Sequence, residues 1–154
     1  MEDLKSHLRL LHETEIHETI EDAEIAKIQT DNRIRKYEQI KKESKKFEMI
    51  KIHGNKKSKN LIIGWGSTKG QILDAIKGED FKFLQVLYLK PLSDEIEKHI
   101  RQADKVIIIE QNVTGQLGRL IREKTGIKIK NRILKYDSRP FLSDELREEI
   151  FKVK

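Results

Sequence analysis

Lys105-Val106-Ile107-Ile108-Ile109-Glu110 is the stretch that decides the fold. Four consecutive aliphatic residues cannot alternate between a core and water. A strand built from them needs cover on both faces, as in a parallel sheet with helices above and below. Its neighbours repeat the theme. Residues 61–65 form a second buried-type strand ending in glycines, and residues 83–89 and 133–136 are two more. Between them lie segments with helical spacing: Ile72, Leu73 and Ile76; Ile96 and Ile100; Leu117, Leu120 and Ile121. Ser67 or Thr68, Ser93 and Ser143 stand where N-caps are expected, while Gly78 and Gly126 mark helix ends.

Four apolar strands alternating with helices predict a doubly wound, mostly parallel sheet with right-handed crossovers. Residues 49–53 add a short β-like run, closed by the turn signal Gly54-Asn55. Its short connection to the next strand predicts an antiparallel edge beside that strand. The expected architecture is α/β: a three-layer Rossmann-like domain with about five strands, one of them an antiparallel edge strand, preceded by a helical N-terminal arm.

The boundary is expected near residue 46, giving an arm over 1–46 and the α/β domain over 47–154. The first 46 residues contain no Gly and no Pro and are dense in charge. From Asp22 onward a thin apolar stripe runs through Ile25, Ile28, Ile34, Tyr37, Ile40 and Phe47. Such a helix is marginal alone in water, which favours an arm lying against a partner over a bare spacer.

The 154-residue chain carries a formal charge of +6. That excess is local: residues 41–59 hold eight lysines and two glutamates, leaving 24 basic and 24 acidic residues elsewhere. With Phe47 the one Phe, Tyr or Trp among these lysines, too few aromatics for base stacking, this predicts a solvated linker and no nucleic-acid partner. The chain has no cysteine, which excludes disulfides and cysteine-ligated iron–sulfur clusters. No apolar run approaches the length of a bilayer, so the expectation is a soluble, cytoplasmic protein without a membrane partner. The composition, heavy in Ile, Lys and Glu, suits a thermophile or an AT-rich genome. His7, His12, His17, His53 and His99 show no ligand spacing and are expected on the surface.

In open parallel sheets, ligands bind beyond the carboxyl ends of the strands. Three polar segments fall there. The first is Gly64-Trp65-Gly66-Ser67-Thr68-Lys69-Gly70. It fits neither phosphate-loop pattern, because Lys69 occupies the third glycine position of a dinucleotide fingerprint and no Gly-Lys-Ser/Thr run exists. It is also no nucleophile elbow. The second is Glu110-Gln111-Asn112-Val113-Thr114-Gly115-Gln116. Its carboxylate and amides lack an evident acid, base, nucleophile or metal partner, so they are expected to satisfy loop backbone or the next helix start, or to reach a neighbouring subunit. The third is Lys135-Tyr136-Asp137-Ser138-Arg139-Pro140-Phe141, where Arg139 and Asp137 can pair with each other or with a partner.

In this order the three segments resemble the C-terminal part of the α subunit of 2-oxoacid:ferredoxin oxidoreductases, the 2-oxoglutarate type being closest. That part is similar to the C-terminal domain of transketolases. The resemblance covers residues 47–151, and it extends more weakly upstream through His12-Glu13-Thr14-Glu15, Glu21-Asp22-Ala23-Glu24 and Arg33-Ile34-Arg35-Lys36. Ser138 departs from it, since the family usually has glycine there, and Ser requires an unstrained turn.

The resemblance implies a complex that decarboxylates a 2-oxoacid on thiamine diphosphate with Mg, passes electrons through iron–sulfur clusters to ferredoxin, and forms an acyl-CoA. It also implies that the thiamine lies between the α subunit's N-terminal domain and the β subunit. This chain shows no Gly-Asp-Gly run. The resulting expectation is a part with no catalytic, cofactor-binding or metal-binding residues of its own, whose partners are that N-terminal domain and the β subunit. A homo-oligomer through the α/β domain is compatible with it. A small-ligand module for a nucleotide or CoA-like anion is the competing expectation.

Overall fold

The structure, a computed structural model, describes residues 23–153. The expectations for His7, His12 and His17, and for the resemblance ahead of Ala23, lie outside the described residues. The elements in chain order are α1 (Ala23–Ser44), β1 (Ile50–Gly54), β2 (Asn60–Trp65), a 3-10 turn (Gly66–Thr68) and α2 (Lys69–Ala75). There follow β3 (Lys82–Val86), α3 (Glu95–Gln102), β4 (Lys105–Glu110), α4 (Gln116–Thr125), β5 (Asn131–Leu134) and α5 (Ser143–Lys152).

The chain divides into two units between Ile40 and Lys41, inside α1. In the first, Ile25, Ile28, Ile34 and Ile40 are all exposed. The second holds the sheet. Its order is β1-β3-β2-β4-β5, with every pairing parallel except β1 with β3. The mostly parallel sheet with an antiparallel edge is as the sequence predicts.

The neighbour of β1 is not. A hairpin would put β1 beside β2, but β3 lies between them. The cause is the connection over residues 55–59, which straddles the start of β3. The Asn55 N–H donates to Phe81 O at 2.9 Å, and both Ser58 Oγ (2.9 Å) and Asn60 Nδ2 (3.1 Å) donate to Asp80 O. Gly54 makes this approach at φ +72°, with Phe81 O only 2.5 Å from where a Cβ would stand.

Side chains leave a strand alternately toward its two faces, and here both faces are covered. Leu61, Ile63, Leu84 and Ile108 pack with Ile96, Ile100, Leu117 and Ile121 of α3 and α4. Ile62, Phe83, Ile107 and Ile109 pack with Ile72, Ala75, Leu146 and Ile150 of α2 and α5. The decisive stretch thus supplies both layers. Ile107, Ile108 and Ile109 are wholly buried, and each contributes about 1.5–3 kcal/mol.

Other expectations change in detail. The lysines of residues 41–59 are exposed, as a solvated run should be, but the run is no linker: it spans the end of α1, β1 and the tight connection to β2. His53 and His99 are half-buried rather than superficial. His53 stacks on Phe83, ring centroids 5.5 Å apart, and its Nε2 meets Gln85 Oε1 at 3.0 Å. Burial pushes the His99 imidazole below its ordinary value, the nearby Lys82 charge adding to the effect. No helix among the described residues is long and apolar enough to cross a membrane.

Candidate functional site at the carboxyl edge of the sheet

β2 and β4 are neighbours whose continuations part company: β2 leads through α2 to β3 on one side, and β4 leads through α4 to β5 on the other. The crevice between their ends is the switch point where open α/β sheets bind ligands. All three loops singled out in the sequence meet there.

At the first loop, Gly64 is buried within β2 and Trp65 is half-buried against the α3/α4 layer. Gly66, Ser67 and Thr68 form the 3-10 turn, and Gly70 is an exposed residue early in α2. Neither hydroxyl caps α2. Thr68 Oγ1 turns back to donate to Trp65 O at 2.8 Å, and Ser67 Oγ crosses the crevice to donate to Gln111 Oε1 at 3.0 Å. At α5 the N-cap position is Leu142 and not Ser143. At α3 the N-cap position is Asp94 and not Ser93, although the Ser93 Oγ accepts from the Glu95 N–H at 3.3 Å.

The second loop is organised by Glu110, which is fully buried. Its Oε2 accepts from the Leu117 N–H at 2.8 Å and from Asn112 Nδ2 at 2.9 Å, and its Oε1 accepts from the Gly118 N–H at 3.1 Å. A carboxylate placed on the first N–H groups of α4 satisfies donors that have no partner within the helix, and it complements the positive end of the helix dipole. Asn112 Oδ1 takes the Gln116 N–H at 3.1 Å, completing the start of the helix, with Thr114 half-buried between. Gly115 enters at φ +63°, a conformation that a side chain would strain.

Gln111 extends the network, donating from Nε2 to Arg139 O at 3.2 Å. One amide therefore ties the first loop to the third across the switch point. In the third loop, Asp137 receives the Arg139 N–H at 3.2 Å, Arg139 Nε at 3.1 Å, Arg139 Nη2 at 3.0 Å and Lys135 Nζ at 3.2 Å. Tyr136, Arg139 and Pro140 are exposed, whereas Phe141 drops into the α2/α5 layer.

The Arg139 backbone N–H is the largest influence on Asp137, and with Lys135 and the Arg139 side chain it lowers the pKa from 3.8 to about 2. Because the folded value lies below the unfolded one, the stabilisation is present above about pH 4 and is lost as pH falls toward 2. Comparing wild type with Asp137→Asn across that window should show the stability gap closing on acidification. A gap independent of pH would contradict the assignment.

Ser138 corrects an expectation. The turn is not unstrained, since Ser138 sits at φ +64°. Ser138→Gly is expected to raise stability by about 0.5–1 kcal/mol, the relieved strain exceeding the entropy that glycine loses on folding. Denaturant unfolding measures this directly.

Arg132 was not anticipated. Its guanidinium threads beneath the start of α4, with Nη1 3.1 Å from where a Gly115 Cβ would stand and Cζ 3.5 Å from the equivalent point of Gly118. Its Nε donates to Ile129 O at 3.1 Å. The one available signal was the pair of glycines three residues apart, which leaves a gap on that helix face.

These contacts equip the edge to hold itself together. Glu110, the buried carboxylate at the switch point, spends both oxygens on the chain's own donors, and Gln111 bridges the crevice. Among the described residues, no three His, Cys, Asp or Glu side chains are grouped to hold a metal ion.

No protein-family model matches the chain. It is 37% identical over 126 residues, 80% of its length, to the 2-oxoacid:ferredoxin oxidoreductase 1 α subunit of Sulfurisphaera tokodaii. A second α subunit, 2-oxoacid:ferredoxin oxidoreductase 2 of Aeropyrum pernix, is 33% identical over 132 residues, 82% of the chain. The chain belongs to the 2-oxoacid:ferredoxin oxidoreductase α-subunit family.

It spans about a fifth of the length of these curated relatives, 20% and 21% respectively. Among solved structures it resembles the 2-oxoglutarate:ferredoxin oxidoreductase of Magnetococcus marinus, determined with 2-oxoglutarate, coenzyme A and succinyl-CoA bound. The TM-score is 0.67 and the identity 23%, over 84% of this chain and 24% of that one, a likeness of fold.

The cofactors of an oxidoreductase of this family do not fit the residues at this edge. A thiamine diphosphate seated at the α4 start would meet the Glu110 carboxylate, already bonded to the N–H groups that a diphosphate needs. An iron–sulfur cluster has no cysteine to hold it in this sequence.

Proposed function

We propose that this chain is a non-catalytic α/β part of a thiamine-diphosphate-dependent 2-oxoacid:ferredoxin oxidoreductase, completing the α subunit and stabilising the assembly. The observation that carries this reading is the self-satisfied switch point. Glu110 neutralises the one helix start that faces the crevice from β4, and Ser67, Gln111 and the Arg139 backbone close it. A site arranged this way positions loops and spends both oxygens of its buried carboxylate within the chain.

In this reading residues 47–154 are the transketolase C-terminal-like domain and residues 1–46 an arm. Oxidative decarboxylation of the 2-oxoacid, 2-oxoglutarate by resemblance, takes place in the α subunit's N-terminal domain and the β subunit. Those parts carry thiamine diphosphate, Mg and the clusters, form the acyl-CoA and reduce ferredoxin in the cytoplasm. The exposed members of the three loops, among them Tyr136 and Arg139, face those partners.

Coexpression of an affinity-tagged chain with the thiamine- and cluster-bearing subunits tests the proposal. They should copurify in fixed stoichiometry. A tagged chain recovered free of them, next to an active complex that lacks it, would refute it. Micromolar, saturable calorimetric binding of a nucleotide or CoA by the chain alone would favour the ligand-module alternative.

A further inference from the structure

β1 is an edge strand, and its bonding to β3 fixes which of its backbone groups face outward. The Leu87 N–H donates to Met49 O at 3.0 Å, and the Asn55 N–H donates to Phe81 O at 2.9 Å. Backbone direction alternates along a strand, so Met49, Lys51, His53 and Asn55 bond inward, while the N–H and C=O groups of Ile50 and Ile52 point away from the sheet. Among the described residues nothing bonds those outward groups. Proteins blunt such an edge with proline, a bulge or charge. β1 has no proline, its register with β3 runs unbroken from Ile50 to Gly54, and its one charged residue is Lys51. The opposite edge, β5, is guarded against its own kind. Residues 127–136 carry Lys128, Lys130, Arg132 and Lys135 and no acid, so two copies laid along it repel.

We infer that β1 pairs antiparallel with β1 of a second copy, about a two-fold axis at Ile52, joining the two sheets into one. The outward groups dictate the register. Bonded pairs must be made from outward residues, which sets Ile52 opposite Ile52 and Ile50 opposite Gly54. Charge selects this alignment over its neighbours. Lys51 of each copy then lies opposite His53 of the other, and exposed Glu48 of each lies alongside exposed Lys56 of the other. Neither Glu48 nor Lys56 has an ion-pair partner among the described residues. Centring the axis on Lys51 would set two ammonium groups face to face. Centring it on His53 would leave Ile50 opposite Lys56, beyond the strand. Half-buried Ile52, packed on the α3/α4 layer, meets its own copy on that face and gains apolar cover. A five-residue strand pair is a small contact, so the dimer belongs at the weak end of specific interfaces. The inference is independent of the assembly reading, which concerns contacts with other subunits.

Sedimentation equilibrium of the full chain at about 100 µM and low salt should show a dimer that dissociates on dilution. Amide exchange locates the contact. Ile50 and Ile52 should gain protection in the dimer, whereas Lys51 and His53, already bonded to β3, should be protected in both states. Lys56→Glu opposes like charges at both ends of the pair and should weaken association about tenfold, and the swap Glu48→Lys/Lys56→Glu should restore it. Ile52→Pro removes an N–H that β3 does not use and should leave a monomer; the charge variants decide the matter if it does not fold. A monomeric wild type, a dimer without added protection at Ile50 and Ile52, a dimer indifferent to Lys56→Glu, or a swap that fails to restore it would overturn the inference. Protection of Ile50 and Ile52 gained only with the other oxidoreductase subunits present would give the edge to a partner's strand and overturn the second copy. Copurification with those subunits is scored separately: its loss beside an intact dimer contradicts the assembly reading alone, and its retention by a chain that stays monomeric contradicts the pairing alone.

Discussion

Glu110→Gln is expected to destabilise the α/β domain by about 2–4 kcal/mol, lowering Tm by on the order of 10 °C. The carboxylate offers two acceptor oxygens, and three donors converge on them: the Leu117 and Gly118 N–H groups and Asn112 Nδ2. A glutamine of the same shape replaces one oxygen with an NH2 group. Whichever way the amide turns, a donor faces a donor in a fully buried place, and one N–H of α4 is left without a partner. The charge that complements the helix dipole is lost as well. Hydrogen exchange should localise the damage, with the first turn of α4 losing protection before the β2 and β3 strands. Unchanged stability would mean that the carboxylate is not the anchor of the edge, and would reopen it as a ligand site.

The second large effect is expected at the opposite end of the sheet. Gly54→Ala should cost about 2–4 kcal/mol, from two sources that add. The residue sits at φ +72°, where an L side chain is strained, and the new Cβ would stand 2.5 Å from Phe81 O. That oxygen is backbone, and it accepts the Asn55 N–H at 2.9 Å, so it cannot retreat without breaking the contact that wraps the β1–β2 connection around β3. Gly78→Ala is the informative control. Gly78 has a similar φ, +80°, but no atom lies within 4 Å of its Cβ position, so it should show the strain without the clash. Equal losses in the two variants would show that the close approach to Phe81 contributes nothing.

These two positions also mark how far the sequence could be read. The aliphatic run over residues 106–109 demanded cover on both faces, and that demand is local, so the parallel sheet was legible. The partner of β1 was not, because a five-residue connection suits a hairpin equally well. What moves β1 onto β3 is a set of hydrogen bonds to Phe81 O and Asp80 O, more than twenty residues away in sequence. At the site, the three loops were recognisable as polar segments at strand ends. Their hydroxyls were misassigned for the same reason as β1: Ser67 stands where a cap belongs, yet its Oγ serves Gln111 across the crevice. Arg132 lay outside the strand expected over residues 133–136, and its place under Gly115 and Gly118 exists only in the folded chain.

The central claim is that this part of the oxidoreductase carries no chemistry of its own. Its most direct test is the reduction of an artificial electron acceptor by the purified chain, supplied with 2-oxoglutarate, thiamine diphosphate, Mg and CoA. The account predicts no 2-oxoacid-dependent reduction by the chain alone, and reduction once the thiamine- and cluster-bearing subunits are added. Turnover by the pure chain would contradict it.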